Sequence, residues 1–449
     1  MSKKLYRSFV LLLVFGLLGA MLGGCGTKAT PTPAPVVEEE PTDAPAAVEP
    51  TTPPAAEEEP TAAPEVKEPV TLKVWIVDRV GANAMDTVKQ SIQAWADETG
   101  NTVEITEGAQ FEMMTKIPTA IPAGEGPDVF MNINSYVGML SIGDLIVPLN
   151  DLIPAEELAE YTQGSLDSFT LDGKLYGVPL AADVNALLYN KALVPEPPKT
   201  MAELITMSKE MTKGDKYGFM YTIDAFWYSY PFVSASGGYV FNWDGKTFDV
   251  KDVGFDNEGS IAGLQYVVDL VKVEKLMPAD VTWDVMNSFF SSGQSAMTIS
   301  NPTMLPTFKD AGIDVGVARI PQMDNGKYPH PFATYTGFSV SAYSEHPQES
   351  AALASYLGLN LPLPLYQANP GNIPVYQPMF ENDAVKEDAD LAAWISQLEE
   401  SDPLPNVNEM NLVWVPATTA YTAAVHGDMS AEEALKAAQQ QILDAIAAQ

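Results

Sequence analysis

The 449-residue chain holds one cysteine, three histidines and only 24 lysines and arginines against 59 aspartates and glutamates. A single cysteine excludes an internal disulfide. The histidines, His330, His346 and His426, are scattered and lie beside proline or glycine. No pair of them has metal-ligand spacing, so they are expected as surface loop residues and no metal or other cofactor is expected. Phosphate-cradling glycine loops, a G-x-S-x-G elbow and an H-E-x-x-H pair are also missing. The formal charge is −35. Such a body is repelled by phosphate backbones and anionic lipid, which excludes nucleic acid as a partner and electrostatic adhesion to a membrane. No segment repeats with a period of 20–50 residues, which excludes a solenoid. Carboxylates are too numerous for a glycosidase-like acid pair to be excluded by counting, but nothing singles out such a pair.

What is present begins with Lys3, Lys4 and Arg7, followed by an apolar run from Phe9 to Leu22. That run suits a signal-peptide core and falls short of the ~20 residues a spanning helix needs. It ends in Leu22-Gly23-Gly24-Cys25, which resembles the bacterial lipobox, where cleavage precedes a diacylated cysteine. Residues 1–24 are therefore expected as a signal peptide and Cys25 as a lipid anchor. The stretch 25–69 is proline, alanine, threonine and glutamate, with Glu38-Glu39-Glu40 and Glu57-Glu58-Glu59. It cannot bury enough apolar surface to offset its ordering entropy. Its prolines and like charges make it an extended stalk between a membrane and a folded body.

The body runs from Val70 to Gln449, long enough for more than one core. Residues 70–77 and 102–106 read as strands, with Val88, Ile92 and Trp95 on one face of an intervening helix that Gly100 stops. A helix over 111–120 and a strand over 129–133 follow. Strands alternating with helices predict parallel β-α-β units, hence an α/β fold. The Gly124–Asp128 stretch contains proline and precedes a strand, so it is a structural turn. Thr200 with Glu203, and Ser430 with Glu433, are capping-box signatures that start two later helices.

Several stretches resemble bacterial maltose/maltodextrin-binding proteins of ABC importers. They are LLYNKALVPEPPKTMAEL at 187–204, PFVSASGGYVFNWDGKTFDVKDVGFDNEGSIAGLQYVVDLVKVEKLMPAD at 231–280, AMTISNP at 296–302 and LPNVNEMNLVW at 404–414. The resemblance covers the chain from Val70 onward. It implies a two-lobed periplasmic-binding-protein fold, a clam shell with discontinuous lobes and hinge strands. Lobe 1 would take 70–183 with 338–384, and lobe 2 would take 184–337 with 385–449. It further implies a monomeric, non-enzymatic receptor that binds maltose or a maltooligosaccharide and delivers it to ABC permease subunits. The receptor would be exported and held by lipid on the outer face of the cytoplasmic membrane, or on the periplasmic side in a two-membrane cell. A different oligosaccharide or solute, or a cell-surface glycan hydrolase using the same cleft, are the alternatives.

Ligands of open α/β sheets sit beyond the carboxyl ends of strands. That rule points to Asp78 and Arg79 after the first strand, and to Asn132 and Tyr136 after the third. A salt-bridged surface turn is the competing reading of Asp78 and Arg79. The resemblance adds Asp183 at the hinge entry, Trp227 as a stacking aromatic and Trp414 as an aromatic platform. Tyr228 joins them as a candidate, with Tyr239 and Trp243 weaker ones. Core packing is the competing reading for each aromatic. The match is partial: Thr303, Val415 and Thr418 replace aromatic or arginine positions of the family.

Overall fold

The computed structural model describes residues 68–223 and 225–449. The expected signal peptide, Cys25 and nearly all of the stalk lie outside the described residues.

The first strand, Thr71–Val77, alternates in burial, with Leu72, Val74 and Ile76 shielded from solvent. Each such aliphatic contributes about 1.5–3 kcal/mol relative to exposure. It pairs in parallel with Thr102–Gly108 and with Val129–Ile133. Between the first two, the helix Met85–Thr99 buries Val88, Ile92 and Trp95, and ends at Gly100 in the left-handed region (φ 74°). Of the remaining strands of this seven-stranded sheet, Val178–Val184 keeps that direction and the others run against it. Phe332–Val340 lies antiparallel between Val129–Ile133 and Val178–Val184, and Ile373–Pro374 closes the edge. Asp402–Pro403 adds to the start of Phe332–Val340.

A second sheet has four strands, in the order Val315–Ala318, Ala186–Asn190, Ser295–Ser300 and Tyr217–Phe219. Ala186–Asn190 is antiparallel to both neighbours, while Ser295–Ser300 and Tyr217–Phe219 are parallel. Helices Phe226–Ala235, Glu258–Lys272, Trp414–His426 and Ala431–Ala447 pack together beside it. Both expected capping boxes form, at Thr200 with Glu203 and at Ser430 with Glu433.

Two hydrophobic cores result. One contains Leu72, Phe130, Leu180, Phe338, Leu357 and Trp394, and the other Leu187, Phe219, Tyr221, Phe232, Leu264 and Tyr421. The chain passes between them at several points, three of which adjoin. Val178–Val184 of the first sheet continues through Asn185 into Ala186–Asn190 of the second. Phe332 belongs to one core and Ala333 to the other, and Asp402–Pro403 pairs alongside them. These adjoining crossings are the hinge of a two-lobed α/β molecule.

Candidate functional site

The groups with polar chemistry to offer converge on that hinge. Beyond Val77 the first strand turns into a single 3-10 turn, Asp78–Val80. This turn carries the Arg79 guanidinium over the first-sheet crossing. There it pairs with the Asp183 carboxylate and donates to Thr334 Oγ1 at 3.2 Å. Asp183 and Thr334 are register partners on adjacent antiparallel strands, so both side chains emerge on one face. Asp183 is 6% exposed, and its Oδ1 has no hydrogen-bond partner. Burial raises its pKa, with Arg79 opposing. Asn185, two residues on and fully buried, likewise leaves Oδ1 without a partner, while its Nδ2 donates to the Trp227 carbonyl at 3.4 Å.

The second lobe supplies the aromatics. Trp227 and Tyr228 lie in the first turn of the helix Phe226–Ala235. Trp227 is half-buried and stacks on Phe332 at a hinge crossing, with centroids 5.8 Å apart and planes 27° apart. Tyr228 is 6% exposed, and burial, joined by the nearby Asp183 carboxylate, pushes its phenol up to about 12. Its neighbour Trp227 ties this turn to the hinge crossing, through the carbonyl that accepts from Asn185. Its hydroxyl accepts from the Trp283 indole at 3.1 Å. Trp414 opens the helix Trp414–His426, half-buried, and meets Phe226 edge to face at 6.4 Å.

Not every expected residue joins this group. Tyr136, half-buried, ends the 3-10 turn Asn134–Tyr136 after the third strand, and burial raises its phenol pKa. Asp78 is exposed, and its Oδ1 accepts from the Gln110 amide at 3.1 Å, fastening the helix Gln110–Ala120 beside the turn. Asn132 is corrected to an interior residue. It is fully buried, its Oδ1 accepts from the Ile133 amide and its Nδ2 faces Ser339 Oγ at 3.3 Å. On the neighbouring strand, Gly337 is its register partner. Tyr239 is tied to Asp252, and Trp243 packs on Phe248 at 4.4 Å in its own hairpin. The histidines are not all loop residues, since His426 ends a helix and contacts Asp280 through Nε2 at 2.6 Å. His330 lies between Asp402 and Glu400, at 3.2 and 3.1 Å.

Thr334, Asn185 and Trp283 escaped the sequence reading. Asn185 alone left a signal, as a second polar residue two positions from Asp183 in an otherwise apolar run. Buried carboxylate and amide oxygens without partners, a fixed guanidinium and aromatic rings suit a neutral ligand rich in hydroxyl donors and bearing weakly apolar faces. Among the described residues no group of three His, Cys, Asp or Glu could hold a metal ion.

Two cores joined by three adjoining crossings, with polar and aromatic groups gathered at the hinge, define a two-lobed binding protein. The chain belongs to the bacterial extracellular solute-binding protein family, whose model matches residues 81–360. It is 30% identical over 356 residues to the galactooligosaccharide-binding protein of Bacillus subtilis, covering 78% of this chain and 84% of that one. It is 29% identical over 357 residues to a maltooligosaccharide ABC transporter solute-binding lipoprotein of Streptococcus pneumoniae, covering 77% and 83%. A solved cyclo/maltodextrin-binding protein complexed with maltotetraose superposes with a TM-score of 0.78 at 27% identity, covering 85% of this chain and 98% of that one. The periplasmic-binding-protein fold expected from the sequence is thus the observed one.

Proposed function

We propose that this chain is the carbohydrate receptor of an ABC importer, binding an oligosaccharide between its lobes and presenting it to the permease subunits. The observation that carries the reading is the Asp183 carboxylate, nearly buried at the hinge, paired with Arg79 on one oxygen and without a partner on the other. A sugar hydroxyl would satisfy that oxygen, while Trp227 and Trp414 offer rings to pyranose faces. Arg79 and Tyr136 lie in the lobe of 70–183 with 338–384, and the tryptophans in the lobe of 184–337 with 385–449. A ligand touching both lobes favours the closed form by its extra contacts there. The receptor acts as a monomer and carries out no chemistry on its ligand.

Maltooligosaccharides are the leading ligands, as in the names of the Streptococcus pneumoniae lipoprotein and the cyclo/maltodextrin-binding structure. Galactooligosaccharides are the second reading, favoured by the 30% identical Bacillus subtilis relative. Calorimetry against maltotriose, maltotetraose and the corresponding galactooligosaccharides separates them. A micromolar dissociation constant, about −8 kcal/mol, is expected for one ladder. Silence toward both refutes the carbohydrate reading. Shortened chains after incubation with maltodextrin would identify a hydrolase instead.

The receptor is tethered through a diacylated Cys25, and residues up to Pro69 act as its stalk. Cys25→Ser then releases the protein or leaves its precursor uncleaved. An unchanged, lipid-labelled product removes the anchor from the proposal.

A further inference from the structure

We propose that Trp283 is an outer sugar platform of this cleft, one that contacts only longer oligosaccharides and so sets the preferred chain length. The inference rests on the carbohydrate reading above and extends it to a residue outside the expected site. Tryptophan is costly to leave in water, because its ring offers a large apolar surface. Two tryptophans are among the exposed large hydrophobic residues described, Trp243 at 37% and Trp283 at 43%. Trp243 is accounted for by the Phe248 ring 4.4 Å away in its own hairpin. Trp283 is held differently. Its indole N–H donates to the Tyr228 hydroxyl at 3.1 Å, an in-plane contact that grips the ring by its edge. Edge attachment fixes the orientation of the ring without occupying its faces.

The backbone beneath the ring is equally fixed. Trp283 is the first residue of the helix Trp283–Ser291, which Thr282 caps through Val285 N, and Met286 and Phe290 root that helix in the interior. A ring already ordered by helix, cap and hydrogen bond loses little entropy when a sugar stacks on it. Tyr228 supplies the position: it adjoins Trp227, whose carbonyl accepts from Asn185 two residues beyond Asp183, so Trp283 stands one side chain outward from the hinge site. Tyr228, nearly buried, is a positioning residue, and Trp283 is the surface offered to the ligand. A disaccharide seated at Asp183 and Arg79 does not extend to it, whereas a longer chain does.

The test measures binding by calorimetry for wild type, Trp283→Ala and Tyr228→Phe against the di-, tri-, tetra- and hexasaccharides of the maltose series and the matching galactose series. Expected for Trp283→Ala is an unchanged disaccharide affinity, within about twofold, and a loss of about tenfold for the tetra- and hexasaccharides, the yield of one aromatic face. Tyr228→Phe, which removes the acceptor of the indole N–H, should show a smaller loss with the same preference for long chains. A thermal melt within a degree or so of wild type shows that Trp283→Ala leaves the fold intact. Equal losses at every length, or no loss at any, overturn the platform while leaving the carbohydrate reading standing. Wild-type protein that binds neither series overturns both.

Discussion

Arg79 and Asp183 stand 104 positions apart in sequence and form an ion pair at the hinge, the arginine from a turn after the first strand and the aspartate from a crossing strand. The pair is asymmetric. Asp183 is almost enclosed, whereas the Arg79 side chain keeps 22% of its exposure. Removing the arginine strands a carboxylate in a dry site, but converting the aspartate to an amide leaves a solvated guanidinium and preserves volume. Arg79→Ala is therefore expected to destabilise by about 3 kcal/mol, and Asp183→Asn by clearly less. Denaturant midpoints for the two variants check the order. Both should bind ligand at least tenfold more weakly, and equal stability losses would contradict the burial argument.

Trp414 and Trp227 both lie half-buried against aromatic neighbours, Phe226 and Phe332. Half-burial separates a platform from a core residue, because truncation removes little packing while deleting a ligand surface. Trp414→Ala is expected to weaken ligand binding by more than ~1 kcal/mol while the melting transition stays cooperative. Calorimetry beside a thermal melt tests this. An unaltered affinity or a collapsed transition returns Trp414 to the core.

The local parts of the fold were legible in the sequence. The β-branched run VTLKVWIV marks the strand over 70–77, and the boxes at Thr200 and Ser430 start their helices where side-chain chemistry says they should. What depends on distant pairing was not. Val178–Val184 and Ala186–Asn190 form one continuous buried run, and nothing local reveals that Asn185 carries the chain from one sheet to another. Asn132 lies near the end of its strand, as a cleft residue would, yet its side chain is taken up in the interior by the Ile133 amide and by Ser339, two hundred residues later. Trp283 and Trp394 both belong to amphipathic helices. Tertiary packing alone leaves one at the surface and encloses the other.

His330 gives stability a dependence on pH. Its ring lies between Asp402, which also accepts from the Tyr230 hydroxyl at 2.6 Å, and Glu400, which pairs with Arg319. The hydrogen bond to Asp402 is the main cause of a raised pKa, against partial burial. A histidine raised in the folded state stabilises fully below its unfolded value of ~6.5 and loses that contribution as pH climbs through the folded one. Melting temperatures of wild type are expected to fall from pH 6 upward, and His330→Gln should flatten part of that slope. His426, raised by Asp280, contributes to the remainder. Identical slopes in wild type and variant would remove His330 from the account.

Gly138 marks a contact where the chain has no room for a methyl group. Its amide donates to the Asn406 carbonyl at 2.9 Å. An added Cβ would come within 2.6 Å of Asn406 O and Asn408 N, both backbone atoms. That segment is itself fastened, since Asn406 Nδ2 donates to the carbonyls of Ser168 and Thr170. Neither side can yield cheaply, and relief must come from displacing the stretch that leads to Trp414. Gly138→Ala is therefore expected to destabilise by about 1–3 kcal/mol and to weaken ligand binding as well. Gly124→Ala is the comparison, with a positive φ of 75° but nothing within 4 Å of the new methyl. It should cost about 1 kcal/mol through backbone strain and leave affinity untouched. Chemical denaturation and calorimetry on the two variants separate steric displacement from strain, and a Gly138→Ala protein with wild-type affinity would show that the Asn406 segment moves without disturbing the site.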